Sequence, residues 1–223
     1  MVTNLQQFAT SLLSTPIKQV KQYIKSIDEQ HQIKKTEAMP YHELEAHHVK
    51  NTSTVPNREA LLAQFVHGGT VAEIGVDQGE FSELILKICQ PSKFYLVDAW
   101  GNERYNAHKE AQVRDKFKEQ TQSGMMEIRK GYSTNILPEF QDKYFDWVYI
   151  DTNHLYPTTY EELVLASQKV KPGGIIAGHD YVTGNWNRRV RYGVIEAVHE
   201  FCVKYNWEEI GRASCRERVF PVV

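Results

Sequence analysis

The sequence has few cysteines and no long apolar segment. Its three cysteines, Cys89, Cys202 and Cys215, share no C-x-x-C spacing, which argues against a zinc site and a disulfide framework. No apolar run approaches the roughly 18 residues that a membrane-spanning helix needs, and no secretory h-region is present. These absences predict a protein of the reducing cytoplasm that does not bind a membrane.

The sequence also lacks an excess of charge of either sign. Its 26 lysines and arginines against 28 aspartates and glutamates give a formal net charge of -2. Because a basic patch is the electrostatic signature of nucleic-acid binding, we expect no nucleic-acid partner. With 223 residues, 41% of them hydrophobic, the chain can bury one sizeable core with an appendage.

Residues 1–50 lack strand alternation and are predicted to form a helical N-terminal extension. Within it, Ile17, Val20, Tyr23, Ile24 and Ile27 fall on one stripe at helical spacing. The extension could act as a lid over an active site or as the contact of a homodimer. The sequence leaves both roles open.

Residues 210–223 form a separate segment at the other end of the chain. The run IGRASCRERV, residues 210–219, resembles the in-frame translation of a sequencing adapter, and the alternative is an ordinary polar tail. We expect this tail to be non-native and exclude it from the fold. The main domain then covers residues 51–209, and its sheet is expected to be truncated before its last strand or strands.

From Thr70 onward, short apolar runs alternate with helical patterns. This alternation predicts a three-layer α/β fold, in which a parallel sheet is covered by helices on both faces. The predicted strands are residues 71–74, 94–97, 125–129, 147–150 and 174–177. The predicted helices are residues 81–88, 104–122, 159–169 and 193–205.

The most informative run is VAEIGVDQGEFSELIL, residues 71–86, in which an apolar strand enters a glycine turn and then a helix. Gly75 and Gly79 let the backbone approach a ligand closely, and Glu73 anchors the turn or meets a ligand ammonium group. Because Asp77 stands where the G-x-G-x-x-G motif of dinucleotide-binding proteins has its second glycine, the spacing favours S-adenosylmethionine over a nicotinamide cofactor.

A second acid lies at the end of the next predicted strand. Asp98 follows the run FYLV, nineteen residues after Gly79. At the carboxyl end of a parallel strand, a carboxylate can accept hydrogen bonds from the hydroxyls of a ribose. We expect Trp100 to border the same nucleoside site. In the alternative interpretation, Asp98 caps the helix that follows.

Over residues 55–207 the chain resembles the class I methyltransferases, whose fold is Rossmann-like, and within them the small-molecule O-methyltransferases of the catechol and macrocin type. The segments that carry the resemblance, besides the glycine turn, are KGYSTNILPEF, FDWVYIDTNHLY and GGIIAGHDY. The resemblance implies that Ser133 contacts the adenine of S-adenosylmethionine. It also implies that Asp151 ligates a divalent metal, with further ligands from the tip of the fifth strand.

Asp151, His179 and Asp180 end two predicted strands that should be neighbours, so their side chains are expected to converge. Oxygen ligands with one imidazole suit Mg2+ or Mn2+, and the imidazole shifts the preference toward transition metals. In the alternative interpretation, Asp151 binds the methionine amino group of the cofactor, while His179 and Asp180 cap the following loop.

His154 is the candidate catalytic base. The resemblance places it where the catechol enzymes hold a catalytic lysine, and an imidazole that titrates near neutrality can accept a proton from a hydroxyl. The alternative is a structural histidine packed beside Tyr156.

These patterns predict an S-adenosylmethionine-dependent O-methyltransferase that acts on a hydroxyl of a small molecule, such as a sugar or a polyketide-like metabolite. Two alternatives remain, a nicotinamide-dependent oxidoreductase and a non-catalytic protein that binds the cofactor. The glycine that is missing from the dinucleotide-binding motif disfavours the oxidoreductase.

Overall fold

The computed structural model describes residues 17–185, 190–213 and 220–223. The strands are β1 (Ser53–Val55), β2 (Thr70–Ile74), β3 (Lys93–Asp98), β4 (Met126–Lys130), β5 (Phe145–Ile150), β6 (Val170–Gly178), β7 (Gly184–Asn185), β8 (Val190–Arg191), β9 (Gly211–Ala213) and β10 (Phe220–Val222). The central sheet has the order β10-β6-β5-β2-β3-β4. Its strands pair in parallel except β10, which runs antiparallel to β6.

Helices cover both faces of this sheet. They are α1 (Ile17–Glu37), α2 (Ala46–Val49), α3 (Arg58–Leu62), α4 (Glu80–Cys89), α5 (Ala107–Lys116), α6 (Lys118–Gln122), α7 (Ser133–Ile136), α8 (Tyr156–Lys169) and α9 (Val194–Tyr205). Successive residues of β5 point to opposite faces: Val148 packs with the core under α8 and α9, and Trp147 with the core under α3 and α4. This two-sided burial explains why the strands are almost continuously apolar.

The predicted α/β fold with a parallel central sheet is confirmed, and each predicted strand overlaps an observed one. The predicted helix 104–122 differs, because it is divided into α5 and α6 at Phe117. The backbone of Phe117 leaves the helical region at φ -107° and ψ 26°. Its side chain is buried in the core, so the two helices are joined at a residue that is fixed by packing.

The C-terminal segment takes part in the fold, which differs from the expectation of a truncated sheet. Strand β9 pairs in parallel with β1, and β10 occupies the edge that was expected to be unpaired. The side chain of Val222 is completely buried against the core that includes Ile176 and Phe201. The segment therefore covers an edge of β6 that would otherwise present unpaired backbone groups.

The N-terminal extension contains the expected helix, α1, while residues 1–16 lie outside the described part of the chain. Its apolar stripe is exposed, with Ile17, Ile24 and Ile27 retaining 75%, 60% and 49% of their accessible surface. The helix meets the body through Gln32, whose side-chain oxygen accepts a hydrogen bond of 3.1 Å from the backbone N–H of Arg191. None of the described helices combines the length and apolarity that crossing a bilayer requires.

Replacing Val222 with aspartate tests whether β10 stabilises the domain. The substitution Val222→Asp puts an unpaired carboxylate into a fully buried position, so we expect the free energy of unfolding to fall by about 3 kcal/mol or more. Urea denaturation followed by circular dichroism measures the change. The matched control is Val203→Asp on the exposed side of α9, for which we expect a loss within about 0.5 kcal/mol. Equal midpoints for the two variants would show that the edge strand contributes nothing.

Candidate active site

A cavity of about 770 Å3 opens at the carboxyl ends of the parallel strands. This edge is where open parallel sheets bind ligands, and the volume is typical of a small-molecule site. It brings together predicted site residues from five strand ends. Those that line the cavity are Glu73, Gly75, Asp77, Asp98, Trp100, Ser133, Asp151, His154, His179 and Asp180.

Gly75 allows two strand ends to approach each other. Its φ is 93°, and a Cβ atom at this position would lie 1.9 Å from the carbonyl oxygen of Asp151. Its N–H donates a hydrogen bond of 2.8 Å to the carbonyl of Val97. The turn after β2 therefore passes between the ends of β3 and β5 with no space for a side chain, and glycine is the residue that fits.

Gly79 has a different part in the same turn. It adopts φ 74° as the N-cap of α4, and a Cβ atom there would lie 2.7 Å from the ring of Phe117. The structure thus packs Gly79, a predicted cofactor residue, against the core at the start of a helix. Gly75 and Asp77, by contrast, line the cavity.

Asp98 holds the glycine turn in place through its carboxylate. One oxygen accepts hydrogen bonds from the backbone N–H groups of Val76 at 2.8 Å and Asp77 at 3.0 Å, and the other accepts from Trp100 at 2.9 Å. The following helix, α5, is capped by Asn106 instead, so the helix-capping alternative for Asp98 does not describe this structure. Charge-assisted bonds of this kind fix the turn against the end of β3.

Trp100 and Lys109 brace the same turn from outside. The indole N–H of Trp100 donates a hydrogen bond of 3.0 Å to the carbonyl of Asp77, and its ring is buried. Lys109, on α5, forms an ion pair with the Asp77 carboxylate. Lys109 was missed by the sequence analysis, since nothing in its local pattern relates it to a residue 32 positions earlier.

Glu73 lies beneath the cavity with almost no exposed surface. The hydroxyl of Ser82 donates a hydrogen bond to its carboxyl group. Burial raises the pKa of Glu73 to about 8, against the opposing effect of that hydrogen bond. The carboxyl is therefore largely protonated at neutral pH, and it anchors the end of β2 to α4.

Ser133 and Thr152 are joined by a residue that the sequence analysis missed. Both hydroxyls donate hydrogen bonds to the completely buried carboxyl of Glu162, on α8, the bond from Thr152 being 2.8 Å long. Burial raises the pKa of Glu162 to about 7, while the two hydroxyls act in the opposite direction. Helical spacing could have indicated that Glu162 is buried, because it lies on the buried face of α8 together with Thr159 and Ala166.

Four titratable side chains meet at the ends of β5 and β6. The Nε2 atom of His154 lies 3.1 Å from an oxygen of Asp180 and 3.8 Å from an oxygen of Asp151. The Nδ1 atom of His179 lies 3.6 Å from Asp151 and 3.4 Å from Asp180. The predicted convergence of these side chains is thus present in the geometry.

The group with metal-ligand spacing differs in one member from the predicted set. One donor atom from each of Asp151, His154 and Asp180 lies within 4.8 Å of the other two. The predicted set had His179 in place of His154. The backbone accounts for the difference, since His154 and Asp180 both adopt left-handed conformations, at φ 58° and 55°, and such turns redirect the side chains.

Burial acts on the pKa of each of the four groups in this cluster. It raises the pKa of Asp151, against the opposing charges of His179 and His154. It lowers the pKa of His154 despite the nearby carboxylates, so the imidazole is neutral at neutral pH. For His179 and Asp180 the effect of burial is outweighed by the interaction between their side chains, which raises the pKa of His179 and lowers that of Asp180.

Arg58 is a second lining residue that no sequence motif indicated. It is the first residue of α3, and its guanidinium lies 5.0 Å from the ring centroid of Phe81. Its positive charge favours the ionised forms of Glu73 and Asp151. The cavity therefore combines a set of carboxyl groups with at least one fixed cation.

A parallel sheet of this order, with a glycine turn and an acid at the end of the next strand, is typical of α/β proteins that bind nucleosides. Residues 72–181, about half of the chain, match the family model of a methyltransferase domain. Together with the fold, this match indicates a class I methyltransferase domain, a class whose methyl donor is S-adenosylmethionine. Among curated proteins, no match is found.

Several solved structures share the fold, including those of two methyltransferases. An S-adenosylmethionine-dependent methyltransferase from Aquifex aeolicus has a TM-score of 0.53 and 15% identity over 73% of this chain and 85% of its own. A tRNA methyltransferase from B. subtilis has a TM-score of 0.53 and 12% identity over 75% and 65% of the two chains. A protein from Corynebacterium glutamicum has a TM-score of 0.55 and 11% identity over 100% and 96%. At these identities the likeness concerns the fold alone.

Substituting Gly75 tests whether the close approach of the two strand ends matters. Gly75→Ala adds a contact with the Asp151 backbone to the cost of a left-handed conformation, so we expect the free energy of unfolding to fall by about 3 kcal/mol or more. Gly173→Ala is the control, because Gly173 has φ 75° but no atom within 4 Å of a Cβ, and we expect about 1 kcal/mol. Urea denaturation compares the two, and equal losses would contradict the steric argument.

Proposed function

We propose that the protein transfers a methyl group from S-adenosylmethionine to a hydroxyl group of a small molecule. The observation that carries the proposal is the presence of His154 in the same cavity as the glycine turn and Asp98. Its neutral imidazole contacts the Asp180 carboxylate at 3.1 Å. A base in that state, beside a nucleoside site, is suited to removing the proton of a hydroxyl.

The residues at the first two strand ends fit the proposed cofactor. Each carboxylate oxygen has two lone pairs, so Asp98, which accepts three backbone hydrogen bonds, retains the capacity to accept one more from a ribose hydroxyl. Gly75 adds no side chain at the cavity wall, which leaves the backbone accessible. When bound, S-adenosylmethionine supplies a methyl group that its sulfonium has already activated. Orienting the acceptor for in-line attack can then contribute ~7–11 kcal/mol toward the barrier.

His154 has the features of a general base held by a carboxylate. We propose the tautomer in which Nε2 carries the hydrogen and Asp180 accepts it, since these two atoms are 3.1 Å apart. Nδ1 is then the nitrogen that takes the proton from the acceptor hydroxyl. The carboxylate of Asp180 stabilises the imidazolium that results, as in a triad in which an acid orients a histidine.

A metal site is the second candidate use of the same cluster, and the spacing of Asp151, His154 and Asp180 favours it. Two carboxylates and one imidazole are a donor set that fits Mn2+ and Mg2+. A bound ion of this kind would lower the pKa of an acceptor hydroxyl. His154 would then be a ligand rather than the base, so the two candidates make different predictions for its removal.

We propose a small hydroxylated acceptor, such as a sugar or a polyketide-like metabolite, rather than a nucleic acid. The net charge of -2 and the carboxyl groups that line the cavity oppose the binding of a phosphate backbone. The tRNA methyltransferase with a similar fold is only 12% identical, so its substrate carries no weight here. The methyltransferase-domain match disfavours the nicotinamide-dependent oxidoreductase.

Removing the imidazole of His154 tests the base. We expect His154→Ala to lower turnover about 100-fold, the usual scale for general-base catalysis, while the affinity for S-adenosylhomocysteine stays within about twofold. Release of S-adenosylhomocysteine across a panel of sugars and phenols measures turnover, and calorimetry measures affinity. The control is His67→Ala, at an exposed position. Unchanged turnover would remove His154 from the mechanism, and no turnover by the unmodified protein on any acceptor would favour a non-catalytic binding protein.

Titration with Mn2+ tests the metal site. If the three side chains bind the ion, we expect His154→Ala and Asp180→Asn each to weaken Mn2+ binding by about tenfold or more, because each removes one of three ligands. Asp142→Asn is the charge-matched control, since Asp142 is exposed and pairs with Lys169. No Mn2+ uptake by the unmodified protein would contradict the metal site and leave the base as the role of His154.

A further inference from the structure

The buried carboxyl of Glu162 has no role in the methyl transfer proposed above, although it lies in the wall of the same cavity. It is completely inaccessible to solvent, and each of its two oxygens accepts one hydrogen bond. The donors are the hydroxyls of Ser133 and Thr152, which also line the cavity. One side chain thereby controls two polar groups that face a ligand.

The direction of these two hydrogen bonds determines what the hydroxyls can offer to a ligand. A hydroxyl has a single hydrogen and two lone pairs, whereas an ionised carboxylate only accepts. Ser133 and Thr152 each donate their only hydroxyl hydrogen to Glu162, so only the lone pairs of their oxygens remain available to a ligand in the cavity. A ligand group that donates a hydrogen bond is favoured there, and a group that only accepts is repelled.

The sheet order places Ser133 on one side of the ribose site. Strand β4 is the neighbour of β3, and the N–H of Gly131 donates a hydrogen bond of 2.9 Å to the carbonyl of Asp98. Ser133 is two residues beyond Gly131, at the start of α7. Because the base of a nucleoside is attached to its ribose, a nucleoside held at Asp98 can direct its base toward Ser133.

We propose that Glu162 is a positioning residue that keeps the Ser133 and Thr152 hydroxyls as hydrogen-bond acceptors, so that Ser133 selects the exocyclic amino group of adenine over a carbonyl group. This inference rests on the proposed function, which supplies S-adenosylmethionine as the ligand. Adenine has an amino donor at the position where hypoxanthine has a carbonyl acceptor. The two bases are otherwise almost the same in shape, so a preference between them reports the polarity of the hydroxyl.

The experiment compares the binding of S-adenosylhomocysteine with that of S-inosylhomocysteine by titration calorimetry. Measurements are made at about pH 8, where a carboxyl with a pKa of about 7 is mostly ionised. We expect the unmodified protein to prefer the adenine ligand at least about tenfold, as sites built around a buried hydrogen bond do. In Glu162→Gln, an amide nitrogen that faces Ser133 donates to that hydroxyl and frees its hydrogen, so the preference is expected to fall to within about threefold.

Glu119→Gln is the matched control, because it removes the same charge from an exposed residue of α6 that is not among those lining the cavity. We expect it to keep the preference of the unmodified protein for adenine. A general loss of stability or of charge would lower both affinities together, whereas loss of the acceptor polarity changes their ratio. An unchanged ratio in both folded Glu162→Gln and folded Ser133→Ala overturns the proposal.

Ser133→Ala keeps the proposal testable if Glu162→Gln does not fold. It leaves the Glu162 carboxyl in place but removes the acceptor, so we expect the same fall in the adenine preference. A preference at the level of the unmodified protein would show that Ser133 does not read the base. If the unmodified protein bound neither ligand, the proposed function would fail as well, whereas binding with an insensitive ratio would overturn this inference alone.

Discussion

The carboxylate of Asp98 is the group on which the geometry of the cavity depends. It accepts hydrogen bonds from three backbone N–H groups, two in the turn after β2 and one just beyond β3. These bonds hold the glycine turn open between strand ends that are already fixed by the sheet. If the turn moved, the close approach of Gly75 to the Asp151 carbonyl would be lost, and the end of β5 would no longer be held beside the turn.

The elements that could be predicted from the sequence are those that depend on the residues of a short stretch of chain and not on distant partners. Apolar β-branched and aromatic runs such as β3 and β5 are buried on both faces, so their positions follow from composition alone. The glycine turn and Asp98 follow from position, because the carboxyl ends of parallel strands share one edge. Glu162 and Lys109 could not be placed in the same way, because their partners are 10 to 32 residues away in the chain.

In the cluster at the ends of β5 and β6, the positions of the strand ends predict that side chains come close together. They do not predict which of these side chains have the spacing of metal ligands. Adjacent strands bring Asp151 and Asp180 together whatever the side-chain directions are. Which histidine faces them depends on single backbone angles, and the left-handed conformation of His154 brings its ring to Asp180. His154 has two candidate roles, general base and metal ligand, because the orientation that this turn gives to its ring suits both.

The carboxyl groups around the cavity also fit a ligand with a positive charge. A sulfonium would be attracted by Asp98, Asp151 and Glu162, but without a ligand their mutual repulsion must be limited. Burial limits it by raising the pKa of Glu73 to about 8, so that this carboxyl is largely protonated, while Arg58 offsets part of the remaining charge. A cation entering the cavity would favour ionisation of the same groups. If the methyl donor binds here as proposed, its binding is therefore coupled to the release of protons.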